Sequence, residues 1–215
     1  MRRALPLAGL SLAVTLLAGL ALAQAPVTPP EPGGRMPNVS PVEPGAPHAA
    51  AGAPTSKAAL DTMLGALRFA PNDAAAEALE AQIREAWTNQ ASPAVKLLLS
   101  RGQREMEESA AGEAVDSFDA ALDLEPGLLE GWRGRAQARV RLGDPAGAVK
   151  DIQEVLRREP RHFAALQDLS RIAEGRGDWR GALAAWQKAL ELSPRTPGGR
   201  DRLKDLERRA QGERA

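Results

Sequence analysis

From about residue 57 onward, apolar residues recur three and four positions apart, the spacing of one buried face of an α-helix. Leu60, Met63, Leu64 and Leu67 form the first stripe, in a helix predicted from Lys57 to Ala70 with Ser56 as its cap. Pro71-Asn72-Asp73 breaks it, and Asn72 or Asp73 can cap a second helix to Asn89, with Leu79, Ile83, Ala86 and Trp87 on its buried side. Ser92-Pro93 opens a third, since proline suits the first helical position, where its missing N–H is not needed. Six helices in three pairs then carry the stripes Val95, Leu98, Leu99, Met106 and Ala114, Phe118, Ala121, Leu122; Leu128, Leu129, Trp132, Ala136, Val140 and Ala148, Ile152, Val155, Leu156; and Phe163, Leu166, Leu169, Ile172, Ala173 and Ala182, Leu183, Trp186, Ala189, Leu190. Thr196-Pro197 is expected to cap a last helix, Gly198 to Gln211, whose apolar positions are only Leu203, Leu206 and Ala210.

The three pairs share a register. Pro126, Pro160 and Pro194 are spaced 34 residues apart. Twelve positions before each stands an alanine (Ala114, Ala148, Ala182), and eight before stands a bulky residue (Phe118, Ile152, Trp186). Four before stands a leucine (Leu122, Leu156, Leu190), and Leu98, Trp132 and Leu166 repeat further upstream. A fixed period of this size marks stacked helical hairpins, in which a small residue admits a neighbouring helix and a large one fills the gap. The proline ends each second helix because it donates no N–H and biases the residue before it away from helix.

These positions, with the turns Gly143-Asp144-Pro145 and Gly177-Asp178-Trp179, resemble the tetratricopeptide repeat (TPR) family over about residues 95–196. The resemblance implies an all-α, TPR-type α-solenoid of three helical hairpins at about 95–128, 129–162 and 163–196, within 91–196. Its departures are Arg139 where the family has tyrosine, Val155 where alanine is usual, and the weaker turn Ser109-Ala110-Ala111-Gly112. Residues 57–90 are out of register, since Pro71 shifted by one period falls inside a first helix. They read as an N-terminal helical hairpin covering the open face of the first unit, and 197–215 as a C-terminal capping helix and tail.

The family places its first helices along a concave groove. Mapped here, that groove presents Lys96, Leu99 and Gln103, then Arg133, Gln137, Val140 and Arg141, then Ala164, Gln167, Asp168, Arg171 and Glu174. Gln103, Arg133, Gln137, Arg141, Gln167 and Arg171 are the expected partner-binding residues, being long amides and arginines suited to an extended backbone or a carboxylate. The solvated face of any amphipathic helix has the same chemistry. The Lys, Asn and Arg carboxylate clamp of chaperone-binding TPR domains is missing: Leu99, Gln103, Gly134, Ala164 and Asp168 stand at its positions.

The amino terminus has a different composition. Arg2-Arg3, an apolar run from Ala4 to Leu22 and Ala21-Leu22-Ala23 make a signal peptide over 1–23, with cleavage expected after Ala23. An uncleaved membrane anchor is the alternative. Residues 24–56 hold nine prolines and almost no apolar bulk, so they read as a disordered Pro/Gly/Ala-rich linker. Together with the repeats, the export segment resembles exported TPR proteins of Gram-negative bacteria, and a periplasmic location is expected.

Charge and composition narrow the function. Lys+Arg and Asp+Glu both number 28, and loss of residues 1–23 removes two arginines and no acid, which gives no basic footprint for nucleic acid. There is no cysteine. No nucleophile–base pair, phosphate loop or metal-ligand cluster is legible, so no catalytic residue, metal ligand or cofactor is assigned. His48 and His162 receive no catalytic role. The expected function is a non-enzymatic protein-interaction scaffold holding a peptide or protein partner in the groove. The alternatives are a membrane-tethered assembly subunit of an envelope complex, of cell-division or cytochrome-maturation type, and, more weakly, an enzyme.

Overall fold

A computed structural model describes residues 56–212. The expected signal peptide and all but the last residue of the expected linker lie outside them. The described residues form an all-helical chain: α1 (Lys57–Leu67), α2 (Asp73–Asn89), α3 (Pro93–Glu107), α4 (Ala111–Leu124), α5 (Leu129–Arg141), α6 (Pro145–Arg158), α7 (Phe163–Gly175), α8 (Trp179–Leu192) and α9 (Gly199–Ala210). None of these helices is long and apolar enough to cross a membrane.

Local chemistry sets most boundaries. Ser56 accepts from Ala59 N–H and Asn72 from Ala75 N–H, each covering an N–H that the first helical turn leaves free. Asp144 and Asp178 cap α6 and α8 in the same way, accepting from Gly147 and Gly181 N–H. The residues before these caps, Gly143 and Gly177, are left-handed with φ of 79° and 73°. At the matching position of the first unit Ser109 adopts φ 63°, and Ala110 caps α4 with no side-chain bond. The weak first turn is therefore a strained and uncapped copy of the other two. Thr196 is not the cap of α9. Gly198, left-handed at φ 69°, holds that position, while Thr196 Oγ1 donates to Glu80 Oε1 at 2.8 Å.

The pairs α3–α4, α5–α6 and α7–α8 stack in order, and α9 packs on α8. Ala114, Ala148 and Ala182 are each fully buried, as is Ile152, with Phe118 and Trp186 only 3% and 6% exposed. Close approach in the first two units depends on glycine. A Cβ on Gly102 would stand 2.9 Å from the Phe118 ring, and Gly134 meets the same ring from α5. Phe118 thus wedges between α3 and α5 where neither helix carries a side chain. At the carboxyl end, Trp186 Nε1 donates to Gly199 O at 2.9 Å, and Leu206 of α9 is fully buried.

The α1–α2 hairpin does not cover the first unit. Its core, Leu60, Leu64, Leu67, Ile83, Ala86 and Trp87, joins Phe163 and Ala164 at the start of α7, with Leu129 and Leu192 packed alongside. Polar anchors continue along the same line. Arg161 pairs with Asp61 at 2.6 Å, and Glu80 accepts from Ser193 Oγ at 2.7 Å as well as from Thr196. The hairpin therefore lies along the loops that join one unit to the next, because its apolar stripe finds matching apolar ends of α5, α7 and α8 there.

Candidate functional site: a groove on the first helices

The first helices α3, α5 and α7 line two clefts. One, of about 420 Å³, has Met106, Ala136, Val140 and Ile172 as its apolar wall and Gln137, Arg141, Asp168 and Arg171 as its polar one. The other, also about 420 Å³, lies between α3 and α5 and includes Leu99, Gln103, Phe118, Glu130, Arg133, Gly134 and Gln137, with Thr88 of α2 at its edge. Gln137 belongs to both, so the two clefts share a wall.

The carboxylate of Asp168, 5% exposed, is the centre of the polar contacts. Arg133 Nη1 donates to it at 3.1 Å, Gln137 Nε2 at 3.0 Å and Arg171 Nη2 at 2.5 Å. Arg133 also binds Glu130 at 2.9 Å, and Glu130 Oε1 lies 3.2 Å from His162 Nε2. His162 is fully buried and caps α7, its Nδ1 accepting from Ala165 N–H at 3.2 Å, so in this arrangement Nε2 carries the proton and donates to Glu130. Burial by itself would raise the Glu130 pKa. The Arg133 charge and the His162 hydrogen bond outweigh burial and hold it at about 2. Burial would lower the Arg133 pKa, but Glu130 and Asp168 push it up, so both partners stay charged.

The expected partner-binding residues divide on this geometry. Arg133, Gln137 and Arg171 converge, but on a carboxylate of the chain itself. Arg141 stands exposed at the rim of the first cleft and bonds the Met106 carbonyl across to α3. Gln103 is exposed in the second cleft and donates to Glu107 at 3.3 Å. Gln167 is half-buried and lines neither cleft. Ala164, placed in the groove by its register, is buried under the hairpin. Glu174 is paired with Arg202 of α9 at 2.7 Å. Register could place Asp168 in the groove but could not show it as the acceptor for three donors from two helices. Glu130 gave no signal, since a glutamate in a first helical turn is ordinarily a solvated residue favoured by the helix dipole.

A second ionic cluster lies between α5 and α6 and supports the groove from behind. Asp151, 2% exposed, takes two bonds from Arg135 at 2.8 and 3.1 Å and one from Arg139 at 2.8 Å. Arg139, the departure from the family's tyrosine, thus contributes charge to an inter-helix contact. Among the described residues no group of three or more His, Asp or Glu is placed to hold a metal ion.

The chain is 28% identical over 158 residues to a TPR repeat-containing protein of Rhizobium etli, a match spanning 74% of this chain and 78% of that protein. Among solved structures it is similar to the Sgt2 TPR domain from Aspergillus fumigatus, with a TM-score of 0.53, 22% identity, and coverage of 56% of this chain and 82% of that one. It is also similar to the first TPR of Spaghetti bound to an HSP90 peptide, with a TM-score of 0.50, 19% identity, and coverage of 53% and 90%. No protein-family model matches the chain.

Proposed function

We infer that this chain, whose three stacked units are tetratricopeptide repeats, is a non-catalytic scaffold that holds a peptide or protein partner in the groove of α3, α5 and α7. The cleft walled by Val140 and Ile172 and edged by Arg141 and Arg171 carries this reading. Val140 is 42% exposed there, a large apolar side chain left open beside two cationic ones. That combination suits a segment with an apolar side chain next to an acidic group or backbone carbonyls. The similar TPR of Spaghetti is a peptide-bound structure, which supports a peptide or protein as the class of partner.

The test is panning of a displayed peptide library on the full chain. Peptides enriched on the wild type should lose binding to the double variant Val140→Asp, Arg141→Glu. Equal binding to both proteins would remove the groove from the function. Arg133→Ala is the wrong probe, because it strands Glu130 and Asp168 without their common partner.

The scaffold works in the periplasm, on the reading of residues 1–23 as a cleaved signal peptide and 24–56 as a spacer. The mass of the mature protein tests this: a chain beginning at Gln24 fits export with cleavage, and a chain retaining residues 1–23 fits the tethered alternative.

A further inference from the structure

Because the hairpin lies along the inter-unit loops, the first end of the repeat array is left open among the described residues. The internal repeat shows what that end lacks. Leu97 and Arg101 of α3 stand one period before Gly131 and Arg135 of α5. In the second unit those positions meet the α4 helix of the unit before: a Cβ on Gly131 would stand 2.9 Å from Leu122, and Arg135 pairs with Asp119. In the third unit the first of them is Ala165, fully buried. In the first unit Leu97 is 73% exposed and the Arg101 side chain 62%.

Helix α4 adds the other half of this end. Leu124 is 61% exposed, and Glu113 is exposed as well. At about 100° per residue, both project roughly half a turn away from Leu122, the residue that faces α5. They therefore share the open end with Leu97 and Arg101. Arg101 Nε donates to Glu105 Oε1 at 2.7 Å, and Ser117 Oγ of α4 donates to the other oxygen of Glu105 at 2.6 Å. The guanidinium is thus held near the level of Ser117, one helical turn from Glu113.

We propose that this open end is the interface of a twofold-symmetric dimer, with a second copy of the chain as its occupant. An axis running parallel to α3 and α4, between them, sets α3 of one copy against α4 of the other at the same height. Leu97 then meets Leu124 of the second copy. The Arg101 guanidinium stands about one helical turn from Glu113 of that copy, near enough for the two charges to attract across the axis, and each contact occurs twice. The face is self-complementary because its basic side chain is on one helix and its acidic one on the other. A further repeat stacked here in the usual way fits less well. The positions equivalent to Leu97 are Gly131 and Ala165 where a preceding unit packs closely, and a leucine holds the neighbour further off. This surface is separate from the groove, so peptide capture and self-association can fail independently.

Sedimentation equilibrium of the full chain tests the proposal. The wild type should dimerise. Arg101→Glu and Glu113→Arg should each raise the dissociation constant at least about tenfold, because each places two like-charged pairs across the axis. Mixing the two variants should restore dimerisation, since the heterodimer then has one all-acidic and one all-basic face. Leu97→Gln, a change at an exposed position, should loosen the dimer without any charge reversal. A wild type that stays monomeric, variants that associate as the wild type does, or a mixture of helical, wild-type-like variants that fails to associate would overturn it.

Discussion

Trp87 of α2 lies flat on His162, the cap of α7, with ring centroids 3.8 Å apart and planes 11° from parallel. The tryptophan is 1% exposed and also packs on Phe163. The stack helps to join the out-of-register hairpin to the third repeat and links it, through His162, Glu130 and Arg133, to the floor of the groove.

Removing Trp87 should therefore cost more than a surface change on a terminal hairpin. Trp87→Ala is expected to destabilise the chain by about 3–5 kcal/mol, the scale for a buried aromatic. Trp87→Phe should cost only about 1 kcal/mol, because it keeps an aromatic ring in the stack and the Trp87 Nε1–H has no acceptor to lose among the described residues. Urea unfolding of both variants separates these outcomes. Equal losses would show that ring area is not what holds the hairpin.

Acid should loosen the same junction. The folded pKa of Glu130, about 2, lies below its ordinary 4.5. A depressed carboxylate pKa contributes stability that is complete above about 4.5 and is lost as the pH falls toward about 2, at most on the order of 3 kcal/mol. Glu130→Gln should flatten the acid limb of the stability curve in that window. An unchanged slope in thermal melts across it would mean that other carboxylates govern acid unfolding.

Two tryptophans at repeat positions should behave differently. Trp186 is 6% exposed and donates to Gly199 O, so Trp186→Ala should cost about 3–5 kcal/mol. Trp132 is only half-buried, with the guanidinium of Arg135 4.6 Å and that of Arg158 5.5 Å from its ring centre. Trp132 Nε1 also donates to Pro126 O at 2.9 Å, so burial is what separates the two. Its replacement by alanine should cost about 1–3 kcal/mol from partial burial, the lost hydrogen bond and the lost cation–π contact. Chemical denaturation of the pair checks the order.

The first repeat turn should be repairable. Ser109→Gly relieves a left-handed serine, and Ala110→Asp supplies the cap that Asp144 and Asp178 give the other units. Together they should stabilise by about 1–3 kcal/mol, read as a rise in the denaturation midpoint. No gain would mean that the turn's cost is already absorbed by neighbouring contacts.

The repeats were legible because their physics is local and periodic. Alanines that must be small, large residues four positions on, a proline stop and two Gly-Asp turns all recur at one spacing, and the burial of Ala114, Ala148 and Ala182 follows it. The groove was legible only as a face. Register placed Arg133, Gln137 and Arg171 on it, but the bonds from Arg133 and Gln137 to Asp168 span more than thirty residues, and no short-range pattern encodes them. Glu80 was missed for the same reason. It sits on the polar side of α2 in sequence, yet is 5% exposed because Ser193 and Thr196 come to it from the far end of the chain.

By itself, then, the sequence determined the helices, their pairing into three units and the groove-bearing face, since spacing, capping and proline stops act between residues close in the chain. The position of the α1–α2 hairpin, by contrast, depends on long-range packing. Its stripe of Leu60, Leu64, Ile83 and Trp87 is compatible with any apolar surface, and sequence assigned it to the first unit. The buried stack on His162, the Arg161–Asp61 pair and the Glu80 hydrogen bonds select the loops of the later units instead. That selection is a sum over contacts about a hundred residues apart, and it is what leaves Leu97 and Arg101 open at the first end of the array.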